Sequence, residues 1–548
     1  VDSNLAAKSI DEARMSDSSP KGLRGAVGSM ATGTVISRAT GVLRVLVLAY
    51  VLGISPLADT YNLANTIPNM LYDVVLGGVL GATFIPVFIE RLTNKPERDA
   101  WRSISAVVTL AVIALAGSTV IAFLAAPWLI DAFTAFTHGS SSHNPAQIAT
   151  QRQVSTDLLR WFTPQIFFYG LLSIGAALLN VRRRFGAPMW VPIANNVVCI
   201  LVLLYFAHVD PSPTLNGVAH SHSQLLLLGA GTTLGVIVQA ILLIPSLSRA
   251  RLGRVRWRFD IHDEAVRAIL KLGSWTFGFV ILNQIALFVV IALAFGSGGS
   301  GPVSSYTYAY AFFQMPYAVV AVSVMSAVGP DLATHHTLED HDAFAQRFGT
   351  GLRAVLAIII PASIAMFVLA KPVIALLLGH GNSNAGQTNQ TGTVLAELSL
   401  GLVGFVVFQY VVRALQSMRK ARTAFWLYLI ENLLTIVVAV ALVKPLGLAG
   451  LALAVAIAYS ISAILGLTLL HTWFGKLGNP GCYAPLARVV ISSVVMGLVV
   501  VVVSNLSSSQ SFIALFFRVI GSVVVGGVAY LGCISFLAKR SARSRQTL

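Results

Sequence analysis

The sequence predicts an all-α polytopic membrane protein of fourteen transmembrane helices, built as two parallel six-helix lobes plus two C-terminal helices. Three observations predict it. Only 11% of the 548 residues are charged and 56% are hydrophobic, against roughly 25% charged for a soluble domain, and the mean hydropathy is +0.78. Apolar runs long enough to cross a bilayer recur along the whole chain. The first half also resembles the second at a constant offset.

The apolar runs place helices at 28–53, 57–90, 103–131, 153–180, 188–207, 223–247, 265–296, 302–330, 344–378, 394–417, 423–443, 446–471, 485–505 and 511–538. An even number of spans puts both ends on one side. The tails and alternate loops assigned inside carry 25 Lys and Arg, whereas those assigned outside carry three, Arg152, Lys371 and Lys444. This asymmetry predicts a multi-pass plasma-membrane protein with both termini in the cytoplasm. Residues 1–24 are polar, lack the apolar core of a secretory signal, and read as a disordered cytoplasmic tail. The remaining units are an N-lobe at 25–247, a basic cytoplasmic linker at 248–264, a C-lobe at 265–471, the extra helix pair at 472–538 and a basic tail at 539–548. The net charge of +16 is spread over short inner loops with no basic domain, so anionic membrane lipids, not nucleic acid, are its expected partner.

At offset 245, Gly28-Ser29 meets Gly273-Ser274, Tyr61 meets Tyr306, Met70 meets Met315, Tyr72 meets Tyr317, and Asn69 meets Gln314. Near offset 236, Arg182 meets Arg419, Trp190 meets Trp426 and Asn196 meets Asn432. Six spans per copy is even, so the copies share one orientation and the site is expected between them.

Candidate site residues lie in the first two spans. Asp59, Asn62, Thr66, Asn69 and Asp73 are spaced three and four apart and fall on one helical face. Hydrocarbon cannot hydrogen-bond such a stripe, so it faces either a polar cavity or another helix that it binds. Arg38 and Arg44 in the first span sit about 120° apart on a straight helix, so they do not aim at one point unless Gly33 or Gly41 bends it. One of them could instead pair with Asp59 or Asp73. A free arginine suits a phosphate or carboxylate, which implies an anionic substrate.

Other patterns carry less. The run Gly296-Ser297-Gly298-Gly299-Ser300-Gly301 matches a dinucleotide fingerprint in letters only, since no strand precedes it and Pro302 follows. His208, His220 and His222 share an outer loop without an acidic or cysteine partner at ligand spacing. Cys199, Cys482 and Cys533 are too scattered for a disulfide framework. Asn283 and Gln284, with Glu431 and Asn432, form a weak cation-site candidate, with buried polar packing as the equal alternative. No phosphate-binding loop or nucleophile elbow is present. The expectation is a transporter without covalent chemistry and without a cofactor.

The run Ser37-Arg38, Gly41, Arg44, Asp59, Asn65-Thr66-Ile67-Pro68-Asn69 and Pro86 resembles the opening of the MurJ (MviN) lipid II flippases. These belong to the multidrug/oligosaccharidyl-lipid/polysaccharide exporter superfamily. The segment from Leu179-Asn180 through Arg183-Arg184-Phe185-Gly186-Ala187-Pro188 to Asn195-Asn196 resembles them too, and the resemblance extends from Gly25 to about Lys539. It implies movement of the undecaprenyl-pyrophosphate-linked peptidoglycan precursor, lipid II, from the inner to the outer leaflet for cell-wall synthesis. By position, Arg38 and Arg44 match arginines taken to hold the pyrophosphate, Asp59 an acidic residue opening the second helix, and Pro68-Asn69 the family's Pro-Asn. The chain departs from the pattern where many members carry further arginines: Tyr72, Asp73 and Gly77-Gly78 stand in one such place, and Tyr310 and Ala311 in another. Tyr306, Tyr310 and Gln314 are the expected substitutes, giving hydrogen bonds in place of charge.

The expected mechanism is alternating access, with the last two helices guiding the lipid tail and with coupling to membrane potential or a monovalent ion. Cell-wall synthesis or regulatory proteins are possible partners. Rival readings are an exporter of another lipid-linked oligosaccharide or of a drug, and a non-transporting scaffold for wall-synthesis proteins.

Overall fold

A computed structural model describes residues 20–77, 84–137, 144–182, 184–250, 252–475, 483–506 and 511–546. Residues 1–19 of the predicted tail, the Gly78 of the Gly77-Gly78 pair, and Cys482 lie outside them. The first helix, α1 (Pro20–Leu52), starts before the predicted Gly28, since a proline at the first helical position loses no hydrogen bond. Then come α2 (Pro56–Tyr72), a π-turn at Asp73–Gly77, α3 (Ile85–Asn94), α4 (Glu97–Leu124), α5 (Ala126–Phe133), α6 (Pro145–Phe162), α7 (Pro164–Val181), α8 (Gly186–Val209), α9 (Leu215–His220) and α10 (His222–Ser248). The second half holds α11 (Glu264–Gly296), α12 (Pro302–Pro316), a π-turn at Tyr317–Ala321, α13 (Val322–Thr337), α14 (His341–Leu378), α15 (Ala385–Leu400), α16 (Leu402–Ser417) and α17 (Ala421–Phe474). The last pair is α18 (Tyr483–Asn505) and α19 (Phe512–Gln546). No strand occurs among the described residues.

Among the described residues eleven helical stretches are long and apolar enough to cross a membrane, with α6 and α7 counted together and α12 and α13 likewise, or twelve when α15 and α16, bent by 49°, form one span. That count is consistent with fourteen spans. The 54 residues of α17 would reach about 80 Å as one helix, but Gly447 at φ 57°, ψ −134° breaks it at the start of the second of the two predicted spans. The predicted second span runs from α2 to α3 across residues outside the described set. The expected outer loop at 208–222 holds the short helix α9, in which His220 Nδ1 lies 2.8 Å from the Asn216 carbonyl. No cluster of three metal-binding side chains occurs among the described residues.

Packing reproduces the sequence repeat. In the first lobe α1 packs on α8 and α2 on α6; in the second, α11 packs on α17 and α12 on α15, the same partners one repeat later. Both copies also interrupt the same helix at the same place, since the π-turns at Asp73 and Tyr317 start 244 positions apart. A π-turn inserts one residue into the helical ladder and rotates everything after it. The extra pair α18 and α19 docks on α14, through Met496 and Val500 against Leu369 and through Leu515 and Val519 against Leu376.

Polar contacts tie the lobes together at both ends. At the end assigned outside, Asp59 Oδ1 accepts from the Ser304 backbone N–H at 2.7 Å and from its hydroxyl at 2.6 Å. Residues 59 and 304 differ by 245, the repeat offset, so two equivalent positions touch and the pseudo-twofold axis passes between them. Gly301, at φ +80°, turns the chain into α12, and a Cβ there would come within 2.5 Å of the Ile54 carbonyl carbon. Asn382 completes this end, donating from Nδ2 to Val51 O at 2.7 Å and from its backbone N–H to Tyr50 O at 3.1 Å. At the opposite end Glu264 Oε2 takes Arg91 Nη1 at 2.7 Å and Lys95 Nζ at 2.8 Å.

Hydrogen bonds from Lys95 and Arg91 hold the Glu264 carboxyl down to about 2, from an ordinary value near 4.5. A depressed carboxylate contributes stability that is complete above its unfolded value and is lost as pH falls towards its folded one. Between pH 5 and 8 the melting temperature of Glu264→Gln should therefore run parallel to wild type, with the two curves converging only below about pH 4.5. A gap that changes across neutral pH would refute this clasp. For the outer contact, Asp59→Ala strands two buried donors and should cost about 1–3 kcal/mol. Ser304→Ala, which keeps the backbone bond, should cost less in the same thermal-unfolding assay; equal costs would show that the contact does not bear on the seal.

Candidate functional site

The stripe on α2 divides along its length. Asp59 and Asn62 are buried at the outer contact, while Thr66, Asn69 and Asp73 are half-buried. Thr66 donates to the Asn62 carbonyl at 2.7 Å and Asn69 Nδ2 to the Asn65 carbonyl at 2.7 Å. Each thus answers to its own helix. Asp73, at the start of the π-turn, accepts from Gln284 Nε2 of α11 at 3.2 Å, while Gln284 Oε1 has no partner.

These bonds decide between the pairings left open for the arginines. Asp59 is taken by Ser304 and Asp73 by Gln284, and neither Arg38 nor Arg44 forms an ion pair among the described residues. Arg44 is half-buried within the first lobe among Tyr61, Tyr169 and Cys199. Arg38 is exposed and faces Tyr317 of the second lobe. Six residues of helix turn the side chains about 120° apart, and α1 is not broken between them. Around Arg38 the helix is tied to α8, where Asn196 Nδ2 donates to Thr40 Oγ1 at 3.0 Å and to the Ser37 carbonyl at 3.3 Å.

Arg413 on α16 also acts electrostatically on Tyr317. It is exposed and forms no ion pair among the described residues. In the sequence an arginine near a helix end reads equally well as one that snorkels. The repeat held the clue, because Tyr317 is the counterpart of Tyr72, and both stand at the π-turns. Tyr72 hydrogen-bonds Ser173 and packs against Tyr169 with ring centroids 5.7 Å apart.

The second-lobe candidates form another group. Tyr306 and Tyr310 stack at 5.9 Å, with Tyr306 buried and Tyr310 half-buried, and Gln314 lies within bonding reach of Tyr310. Behind them Glu431 is buried, with Oε1 accepting from Thr435 at 3.1 Å and Oε2 unpartnered. Asn432 points elsewhere, donating to Asn283 Oδ1 at 2.9 Å and to Tyr428 O at 2.7 Å. Successive residues on a helix diverge by about 100°. Asn283 and Asn432 therefore meet, while Glu431 turns to the tyrosines.

Between the lobes stand two cations without counter-ions, hydroxyl and amide donors, and a carboxylate already occupied by an amide. This set can hold an anion that carries more than one charge.

Known proteins resemble this chain in sequence and in fold. Curated relatives include "Lipid II flippase MurJ" of Burkholderia cenocepacia, 24% identical over 79% of this chain and 80% of its own. "Probable lipid II flippase MurJ" of Vibrio cholerae is 26% identical over 80% of each chain. Among solved structures, "Lipid II flippase MurJ, inward closed conformation" matches with a TM-score of 0.75 at 20% identity, over 94% of this chain and 99% of that one. An inward-facing multidrug resistance MATE family transporter of the MOP superfamily matches at 0.63 and 15% identity, over 80% of this chain and 95% of that one. These structures share the fold. The family model described as lipid II flippase MurJ matches residues 48–521, most of the chain, and the chain belongs to that family.

Proposed function

We propose that this protein moves lipid II, the undecaprenyl-pyrophosphate-linked peptidoglycan precursor, from the inner to the outer leaflet by alternating access between its two lobes. The observation that carries the reading is that Arg38 of the first lobe and Arg413 of the second both act electrostatically on Tyr317, each exposed and neither with an acidic partner among the described residues. A pyrophosphate offers oxygen acceptors to both forks at once. Bound there it would draw the lobes together, whereas either arginine alone leaves the other lobe unengaged. Arg44, on the first-lobe side with Tyr61 and Tyr169, supplies further positive potential.

The outer contacts at Asp59, Gly301 and Asn382 hold the lobes shut on one side, and rocking to the other state requires that Asp59 release Ser304. The termini lie in the cytoplasm on the charge asymmetry, so the arginines are reached from the inner leaflet. The pair α18 and α19, docked mainly on α14, offers an apolar flank for the lipid tail. Transport needs no covalent step, and its energy comes from the membrane potential or a monovalent ion. An anionic load moved outward from a negative interior gains about 2.3 kcal/mol per charge per 100 mV.

In a strain depleted of its own flippase, wild type should restore growth. At matched membrane abundance, Arg38→Ala and Arg413→Ala should fail and accumulate precursor on the inner leaflet. Each loses charge-assisted bonds worth about 1.5–3 kcal/mol, or roughly 10- to 100-fold in affinity. Full rescue by both variants would favour the scaffold reading over transport. In potassium-loaded vesicles diluted into sodium buffer, the inside-negative potential that valinomycin sets up should speed outward lipid II translocation, and equal potassium on both sides should abolish the gain; an unchanged rate would remove the potential as a driving force and leave the ion.

A further inference from the structure

The linker between the lobes carries a feature that transport does not use. From Leu252 to Asp260 the chain has neither helix nor turn, and Val255, Trp257, Phe259 and Ile261 are 43%, 76%, 70% and 51% exposed. In extended chain alternate side chains share a face, so four large apolar groups form one outward row. Arg254, Arg256 and Arg258 alternate with them. Arg258 Nη2 is held by Asp260 at 2.8 Å, whereas Arg254 and Arg256 have no ion-pair partner among the described residues.

The segment is fastened to a membrane-spanning helix. The Arg256 N–H donates to Ser105 Oγ at 3.1 Å and the Arg258 N–H to Thr109 Oγ1 at 3.1 Å. Two residues of extended chain advance about 6.6 Å and four of helix about 6 Å, so the hydroxyls on α4 match alternate amides of the linker. At one end Gly253 lies against the Trp101 ring, where a Cβ would clash. At the other, Asp263 returns to Ser103 at 3.0 Å after a turn at 261–262.

Depth follows from the same register. Arg102 is the last charged residue before the apolar stretch of α4, and Thr109 lies seven residues further on, about 10 Å along the axis. The interfacial layer is roughly 5–8 Å thick on each side. The linker therefore descends beside α4 through the headgroups to the upper acyl chains and comes back. The amides of Val255, Trp257 and Phe259 have no protein partner among the described residues. Deep hydrocarbon would not tolerate them, but headgroup phosphates accept from them.

We propose that residues 254–261 form an interfacial hook that seats Trp257 and Phe259 in the inner leaflet and binds the phosphate of an anionic phospholipid through Arg254, Arg256 and the free amides between them. The hook sits on the only covalent connection between the lobes. It therefore ties their rocking to the lipid composition of the inner leaflet, whatever the cargo.

Two measurements on the full-length protein in nanodiscs test this. Phosphatidylglycerol retained by wild type should be seen by native mass spectrometry. Arg254→Gln with Arg256→Gln should weaken its binding by about fivefold per arginine, on about 1 kcal/mol for each basic residue near the surface. Lys539→Gln with Arg540→Gln removes the same charge elsewhere and should leave binding unchanged; equal loss in both would overturn the site. Competition by undecaprenyl pyrophosphate but not by phosphatidylglycerol would assign the arginines to the cargo and also overturn it. The part of the emission that Trp257→Phe removes should be quenched by lipids brominated high on the acyl chain. Quenching of that part by aqueous iodide alone would place Trp257 in water and refute insertion.

Discussion

The structure depends on one carboxylate shared across a symmetry axis. Asp59 belongs to α2 of the first lobe, yet its oxygen accepts from the first turn of α12 in the second. A helix N-terminus presents unsatisfied N–H groups and a partial positive charge, so a buried carboxylate there is paired in the least costly way available. Because positions 59 and 304 are repeat equivalents, the bond lies where two copies of one helix converge. Small movements there become large displacements at the far ends of both lobes. Both bonds hold the Asp59 carboxylate against Ser304, at the outer contact.

The arginines set the opposite constraint. A guanidinium inside a membrane protein is expensive unless it is paired or wet, and in this chain the acidic groups that could pair with Arg38 are already engaged by Ser304 and Gln284. The protein thus keeps its cations unneutralised by occupying its own carboxylates with neutral donors. Near Tyr310 and Ala311, where the resemblance leads to the expectation of a further arginine, Tyr306, Tyr310 and Gln314 are uncharged hydroxyl and amide groups, which add nothing to the cost of burying charge.

How much of this was legible depended on whether a property is local. The helices were legible because apolar length and proline or glycine punctuation act within one segment; α11 begins and ends within a residue of its predicted range. The repeat was legible because its offset is constant. Arg38 and Arg44 were legible as misfits in an apolar run, and their divergence followed from helix geometry. Arg413 was not, because an arginine near a helix end looks the same whether it snorkels or faces a cavity. Only the fold brings Tyr317 beside it. Asp59 and Asp73 read as two members of one stripe, but the lobe contact buries the first and the π-turn sets the second against α11. No periodicity contains a contact 245 positions away.

The linker shows the reverse case, in which a pattern was present in the sequence but its meaning came from what it touches. Alternating apolar and basic residues at 254–261 satisfy the signature of a half-buried strand, yet no second strand pairs with them among the described residues. The hydroxyls of Ser105 and Thr109 take the place of that strand on one edge. The other edge is left with amides that need acceptors, and the exposed face with aromatic rings that need an apolar phase. At the depth set by α4, the bilayer interface meets both needs. A segment that looks unfinished in isolation is complete once the membrane is counted as part of its fold.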